Sequence, residues 1–171
     1  SDGDRNEIDV AVFGSDNDVD FELTGDYNVA GFGIFEGSDN SAEITQDGDY
    51  NLATIDVLGD ESYVEIDQNG DFNEGYAGAV GGFNELNVQQ EGDDNILLAE
   101  LGVGEDGPSG NITDGNTISM SQNGSQNDIV VRVGGAVESN GNTLDVTQNG
   151  DLNILDLLVD GSSNMIDIAQ E

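Results

Sequence analysis

The sequence predicts an all-β protein. The expected form is a parallel β-solenoid of stacked strand–arch–strand repeats, with two facing parallel sheets and seven rungs of about 22 residues. Three observations predict it. Half-units of eleven residues, opening on Asn at all places but Ser62 and mostly turning through Gly, recur along the chain. Within each half-unit apolar residues fall at every second position, which is the period of a strand and not of a helix. Extra residues enter at one kind of turn only.

The clearest copy is Asn142–Asn164. Leu144, Val146 and Gln148 share one face, Gly150 turns, and Asn153 opens the second half. Leu155, Leu157 and Val159 form the matching set before Gly161. First half-units (arm A) open at Asn17, Asn40, Ser62, Asn84, Asn116, Asn142 and Asn164. Second half-units (arm B) open at Asn6, Asn28, Asn51, Asn73, Asn95, Asn127 and Asn153. From an arm A to the next arm B the distance is always eleven residues. From B to A it grows to twelve before Asn40, twenty-one before Asn116 and fifteen before Asn142. A solenoid tolerates insertions as loops on one side in this way. Residues 1–171 are therefore expected as one repeat domain with a loop insertion at 104–115, which contains Pro108, the one proline.

The inward positions of arm A read Val19/Phe21/Leu23, Ala42/Ile44/Gln46, Val64/Ile66/Gln68, Leu86/Val88/Gln90, Ile118/Met120/Gln122, Leu144/Val146/Gln148 and Ile166/Ile168/Gln170. Those of arm B read Ile8/Val10/Val12, Ala30/Phe32/Ile34, Ala53/Ile55/Val57, Gly75/Ala77/Ala79, Leu97/Ala99/Leu101, Ile129/Val131/Val133 and Leu155/Leu157/Val159. Each arm has its own apolar face at fixed register. Stacking like arms on like gives two parallel sheets with facing apolar sides about 10 Å apart. At about 4.8 Å per rung, the rod is roughly 34 Å long. Its core should narrow at Gly75/Ala77/Ala79 and widen at Phe21 and Phe32.

Gln46, Gln68, Gln90, Gln122, Gln148 and Gln170 point inward by parity, and Leu23 holds their place in the first arm A. A buried unpaired amide costs about 1–3 kcal/mol. In-register stacking predicts a core amide ladder through these residues. Asn28, Asn51, Asn73, Asn95, Asn127 and Asn153 are expected to form a second ladder at the turns, or to bond turn backbone. The blander alternative is a set of turn-formers bordering the core.

The run Gln46-Asp47-Gly48-Asp49-Tyr50-Asn51-Leu52-Ala53 has the form Q-x-G-x-x-N, repeated at Gln68–Asn73, Gln90–Asn95, Gln122–Asn127 and Gln148–Asn153. It resembles the curlin repeat of curli fimbria subunits, which form bacterial extracellular amyloid. This chain opens a repeat on Ser only at Ser62. It has Ile34, Val57, Ala79, Leu101, Val133 and Val159 where the family carries a second Gln. The resemblance implies a secreted fibre subunit of the biofilm matrix. It also implies export through an outer-membrane pore and nucleation on a surface-held subunit.

The chain's two ends support self-assembly independently. Gln170-Glu171 stops inside Q-x-G-x-x-N, and Gly3-Asp4-Arg5-Asn6 supplies the missing part. The edges at Ile8, Val10 and Val12 and at Ile166 and Ile168 are expected to join head to tail, an open-ended contact that gives filaments. A proline at Ile8 or Ile168 is expected to block growth. The start at Ser1 without Met reads as a mature or trimmed form.

Composition narrows the alternatives. There are 37 acidic residues against 2 basic ones, a net charge of −35. This argues against nucleic acid and anionic membranes as partners. Such acidity can mean disorder, but the periodicity opposes that reading. Without Cys or His there is no disulfide framework and no ordinary zinc site. No apolar run is long enough to span a bilayer as a helix. The outward acids Asp18, Asp20, Glu22, Glu43, Glu65, Asp67, Asp145 and Asp167 read as a solvated, anti-aggregation face. Salt adaptation and calcium binding are the alternatives. Asp16-x-Asp18-x-Asp20 imitates an EF-hand start, but Phe21 stands where that loop needs Gly. Phe13/Phe35/Leu58/Val80 and Val29/Leu52/Ile96/Ile154 form outward apolar columns suited to bundling or adhesion. Carboxylate pairs arise by chance in so acidic a chain, so no enzyme, metal or cofactor is expected. A monomeric surface-adhesive, ligand-binding or ice-binding solenoid is the competing function, and scattered Thr residues argue against the ice-binding form.

Overall fold

The computed structural model describes residues 1–31, 34–35, 37–57, 59–79, 81–101, 114–134 and 139–171. Its strands follow the half-units. Arm A forms one 7-stranded sheet from β3 (Asp18–Thr24), β6 (Ser41–Asp47), β8 (Tyr63–Asn69), β10 (Glu85–Glu91), β12 (Thr117–Asn123), β14 (Thr143–Asn149) and β16 (Met165–Gln170). Arm B forms the other from β1 (Glu7–Ile8), β4 (Val29–Ala30), β7 (Leu52–Val57), β9 (Glu74–Ala79), β11 (Ile96–Leu101), β13 (Asp128–Val133) and β15 (Ile154–Val159). All pairings are parallel and in register, so Gln68, Gln90, Gln122 and Gln148 lie in one column. This is a parallel β-solenoid. Among the described residues, no helix is long and apolar enough to cross a membrane.

Alternation decides what is buried. In β6 the residues Ala42, Ile44 and Gln46 face the core while Ser41, Glu43 and Thr45 face out. The aliphatic slab between the sheets runs from Leu23 to Val159. It narrows at β9, where β8 and β10 of the opposite sheet come within contact. A Cβ on Gly75 would lie 3.0 Å from Gln68 Nε2 and 3.3 Å from Gln90 Oε1, so the amide side chains occupy the space that a larger residue would take.

The first two arm B strands depart from expectation. Continuous strands were expected over Ile8/Val10/Val12 and Ala30/Phe32/Ile34. Each is broken: β1 is followed by β2 (Ala11–Val12), β4 by β5 (Ile34–Phe35), and β2 and β5 pair as a separate two-stranded sheet. The cause is Phe21. A Cβ on Gly31 would sit 2.8 Å from Phe21 Cζ and 2.9 Å from Asp9 O, and Gly31 has φ 75°. The inward ring presses against arm B, and a glycine lets the chain bend around it. Ile8, Val10 and Val12 are accordingly exposed at 42–45%. Phe32, the side chains of Ile34 and Phe35, Leu58, Val80 and residues 104–113 of the insertion lie outside the described residues.

Most turns share one conformation. Gly at the third position before the anchor takes positive φ in them, as at Gly48 (124°) and Gly70 (121°), whereas Ser139 holds that place before Asn142. The residue just before the anchor is left-handed as well, from Arg5 (63°) through Tyr50 (60°) and Phe72 (59°) to Leu152 (63°). Non-glycine residues there cost on the order of 1 kcal/mol each, which the turn's hydrogen bonds offset. The glycine is indispensable for a second reason. A Cβ on Gly48 would fall 2.1 Å from Gly70 O in the next rung.

Gly48→Ala should therefore destabilise the monomer by about 3 kcal/mol or more through backbone collision. Leu152→Gly, at an exposed left-handed position, should stabilise it by about 1 kcal/mol. Urea unfolding of both variants measures the difference.

Candidate assembly interface

Three hydrogen-bonded columns hold the rungs together. In the core, Gln46 Nε2 donates to Gln68 Oε1 (2.7 Å), Gln68 to Gln90 (2.8 Å), Gln90 to Gln122 (3.0 Å), Gln122 to Gln148 (3.3 Å) and Gln148 to Gln170 (2.6 Å). Each Nε2 also donates across the core to arm B backbone, as Gln68 does to Leu52 O (3.0 Å). The amides thus tie the two sheets together as well as successive rungs.

The anchors form the second column. Asn28 Oδ1 accepts from the backbone N of Asn51 (2.9 Å) and from its Nδ2 (3.2 Å), while Asn28 Nδ2 donates to Gly48 O (2.7 Å). Asn51, Asn73 and Asn95 repeat this set, and Asn127 donates to Gly150 O (2.8 Å). Both modes expected of these residues occur at once. Asn153 differs: its Nδ2 turns back to Asn149 O (2.8 Å).

The third column was not read from the sequence. Asp26, Asp49, Asp71 and Asp93 each accept, through Oδ1, the backbone N of the residue one rung earlier (Asp4, Asp26, Asp49 and Asp71) at 2.7–2.9 Å. Asp60 and Asp151 do the same for Ser38 and Ser125. These acids satisfy turn backbone. Their constant place directly after the turn glycine was the available signal.

An aromatic stack lies beside them. Tyr27 and Tyr50 stack at 4.7 Å between centroids, and Tyr50 and Phe72 at 5.0 Å, with nearly parallel ring planes in both cases. Arg5 closes one end, its guanidinium 5.0 Å from the Tyr27 ring centroid and hydrogen-bonded to the Tyr27 hydroxyl. All three rings occupy the residue before the anchor, so register in the turn would have found them. Arg132 bridges Glu100 (3.3 Å) and Asp156 (3.4 Å) on the outer face of arm B.

The outer acids on arm A face one another along the stack. Glu65 accepts from the Tyr63 hydroxyl (3.1 Å) and from Asn87 Nδ2 (2.7 Å). Burial, reinforced by Glu65, Asp47 and Glu91, raises the Asp67 carboxyl above the usual range. Burial likewise raises Tyr63, with Glu65 adding to it. Among the described residues no group of three or more acidic side chains is placed to hold a metal ion. Val29, Leu52, Ile96 and Ile154 are exposed in one column.

The two outermost rungs present backbone groups that have no neighbouring strand among the described residues. Throughout the stack the N–H one residue after each anchor donates to the following rung, as Asp128 N does to Asn153 O and Thr143 N to Asn164 O (2.8 Å each). Parallel pairing alternates these directions. Asp167 and Ala169 N–H therefore face outward from β16, whereas Ile168 N–H faces inward to β14. Ile8 N–H faces outward from β1. The turns of the last rung are open: a Cβ on Gly150 or Gly161 would meet nothing closer than 3.8 Å.

Residues 24–48, 37–66 and 59–92 match the curlin associated repeat. Residues 24–92 carry curlin repeats. The curlin-repeat family is structural and non-enzymatic. Its Q-x-G-x-x-N signature is now explicable: Gln supplies the core ladder, Gly admits the neighbouring carbonyl, and Asn fastens the turn. No curated protein matches the chain. A crystal structure of the polySia specific acetyltransferase NeuO is similar at 18% identity, over 92% of this chain and 83% of that one, with a TM-score of 0.37. A likeness of that size carries no argument about activity.

Gln90→Leu should cost about 2 kcal/mol, because Gln68 Nε2 loses an acceptor and Gln122 Oε1 is left without its donor. Chemical unfolding tests this, and an unchanged midpoint would show that the column contributes nothing. The folded chain holds the Asp67 proton more tightly than the unfolded chain does, so protonation favours the fold. Stability should rise as pH falls through the Asp67 titration, and be lost as pH rises above it. Asp67→Asn should remove that part of the pH dependence, as read by unfolding midpoints across the carboxylate range.

Proposed function

We propose that this chain is a structural subunit of an extracellular, curli-type amyloid fibre. Copies assemble head to tail through the outermost rungs and contribute to biofilm matrix and adhesion. A nucleating subunit and an outer-membrane secretion pore are the partners that the family resemblance suggests. The exposed column Val29, Leu52, Ile96 and Ile154 suits lateral bundling of filaments.

One observation carries this reading. The last rung leaves open, in unchanged register, the groups that inner rungs use to hold their neighbours. Gly150 and Gly161 have the space into which a following carbonyl fits, and Asp167 and Ala169 present outward N–H groups. At the opposite face Gly3, Asp4 and Asn6 have the spacing of every inner turn. Asp4 Oδ1 would accept from Asp151 N, and Gly3 O would receive Asn153 Nδ2. A second copy meets these requirements once Ser1 and Asp2, which bridge Thr24 where Glu171 of the preceding copy would lie, move aside.

The backbone directions correct one expected test. Proline at Ile168 would break an internal bond to β14, so Ala169 is the position that spares the monomer. Ala169→Pro and Ile8→Pro should each slow seeded elongation at least tenfold with little change in monomer unfolding. Gly150→Ala gives a sharper contrast. It should cost the monomer only the left-handed strain of about 1–2 kcal/mol, yet stop elongation by placing a methyl against the incoming Gly3 carbonyl. Thioflavin-type growth curves and fibre diffraction read the outcome. A wild-type chain that stays monomeric at high concentration, without a meridional reflection near 4.8 Å, would sink the fibre reading and favour a monomeric surface-binding solenoid.

A further inference from the structure

We propose that Leu23 sets the boundary between copies: it interrupts the amide ladder at each junction, so the contact between two chains is weaker than the contact between two rungs of one chain. This rests on the head-to-tail reading above and deepens it by naming the residue that distinguishes the junction.

The starting observation lies inside the chain. Gln46 Oε1 is buried and has no hydrogen-bond partner. In every later rung the equivalent oxygen accepts from the Nε2 of the rung before it: Gln68 from Gln46, Gln90 from Gln68, and onward to Gln170 from Gln148. The residue before Gln46 in the column is Leu23, paired with it in register between β3 and β6 and itself fully buried. A leucine has no donor, so the ladder starts on an orphaned oxygen.

The other end of the ladder is open. Gln170 Nε2 reaches only Ile154 O, at 3.5 Å. In a head-to-tail stack β16 of one copy lies against β3 of the next, taking the place of Asp2 beside Thr24, and Gln170 then faces Leu23. Its remaining N–H has no acceptor there. The other columns have no such interruption. Asn153 and Asn164 meet Asn6 and Asn17, Asp151 meets Asp4, and Gly150 and Gly161 meet Gly3 and Gly14, which repeats inner-rung chemistry. The junction therefore keeps the turn bonds and loses the core amide bond. Phe21 adds to the contrast, since it would replace an aliphatic neighbour above Ile168 and its bulk already splits arm B at this end.

The consequence is a fibre with built-in weak points, one per subunit. Soluble chain remaining at the end of assembly reports junction strength. Leu23→Gln supplies a donor to Gln46 Oε1 within the chain and an acceptor to Gln170 across the junction. It should raise the monomer's unfolding midpoint and lower the residual soluble concentration about threefold to tenfold, the worth of one amide hydrogen bond. Adding Gln170→Leu to that variant removes the bond between copies, together with the internal bond that Gln148 Nε2 donates to Gln170, whose cost is read separately from the monomer's unfolding midpoint. It should return the soluble concentration toward the wild-type value while the internal Gln46 partner is kept. If Leu23→Gln fails to fold, Gln170→Leu in the wild-type chain serves instead, since it sets leucine on leucine at the junction and should also lower the soluble concentration. An unchanged soluble concentration in the folded Leu23→Gln chain, or in Gln170→Leu where that chain must be used, overturns the role of Leu23 while leaving head-to-tail assembly intact. Absence of wild-type fibres overturns the assembly reading itself, and this inference with it.

Discussion

A turn whose polar groups find their partners one rung away is the constraint on which the rest of this molecule depends. The chain reverses direction within four residues, from glycine to anchor asparagine. That leaves backbone N–H and C=O groups that local bonds do not satisfy. The Asn side chain takes one of each from the next rung, and the Asp after the glycine accepts one from the rung before. Such bonds form only at identical height and register. The eleven-residue spacing from A to B, the glycine and the left-handed residue before the anchor all follow from that demand. So does the parallel arrangement of both sheets, since only parallel stacking brings identical turns together.

Charge is the opposing influence. Acids stacked along arm A repel at a spacing shorter than the screening length of about 8 Å. The fold answers in two ways. Part of the acidity is converted into structure, because the turn aspartates each hold a backbone N–H. The remainder stays on the outer face, where Tyr63 and Asn87 donate to Glu65 and Arg132 spans two acids. The core is narrow and mostly aliphatic. The amide column lets it contain polar groups without leaving them unpaired, except at Gln46.

The strands were legible in the sequence because a period of two survives insertions confined to one turn. The columns of Gln and Asn could be placed for the same reason, and the structure brings their amides within hydrogen-bond distance. The staple role of Asp26, Asp49, Asp71 and Asp93 was not legible, since an acid after a turn glycine reads first as solvated charge. The stack of Tyr27, Tyr50 and Phe72 was not legible because its rings lie in the turns, where the strand period of two does not reach. The splitting of the first arm B strands has no pattern in the sequence at all. It depends on the size of one ring, Phe21, against one glycine on the facing arm.

The amide column has a consequence beyond cohesion. Every Nε2 in it points toward the later rung and every Oε1 toward the earlier one. The side-chain dipoles are therefore aligned head to tail, as peptide dipoles are in a helix, and hydrogen-bonded chains of this kind polarise one another. The stack carries an electrical direction through its centre that its surface charge does not record. The end at Gln46 is the negative pole and the end at Gln170 the positive pole. A chain whose charged side chains are almost all acidic thus offers an incoming anionic neighbour one end that is more favourable than the other.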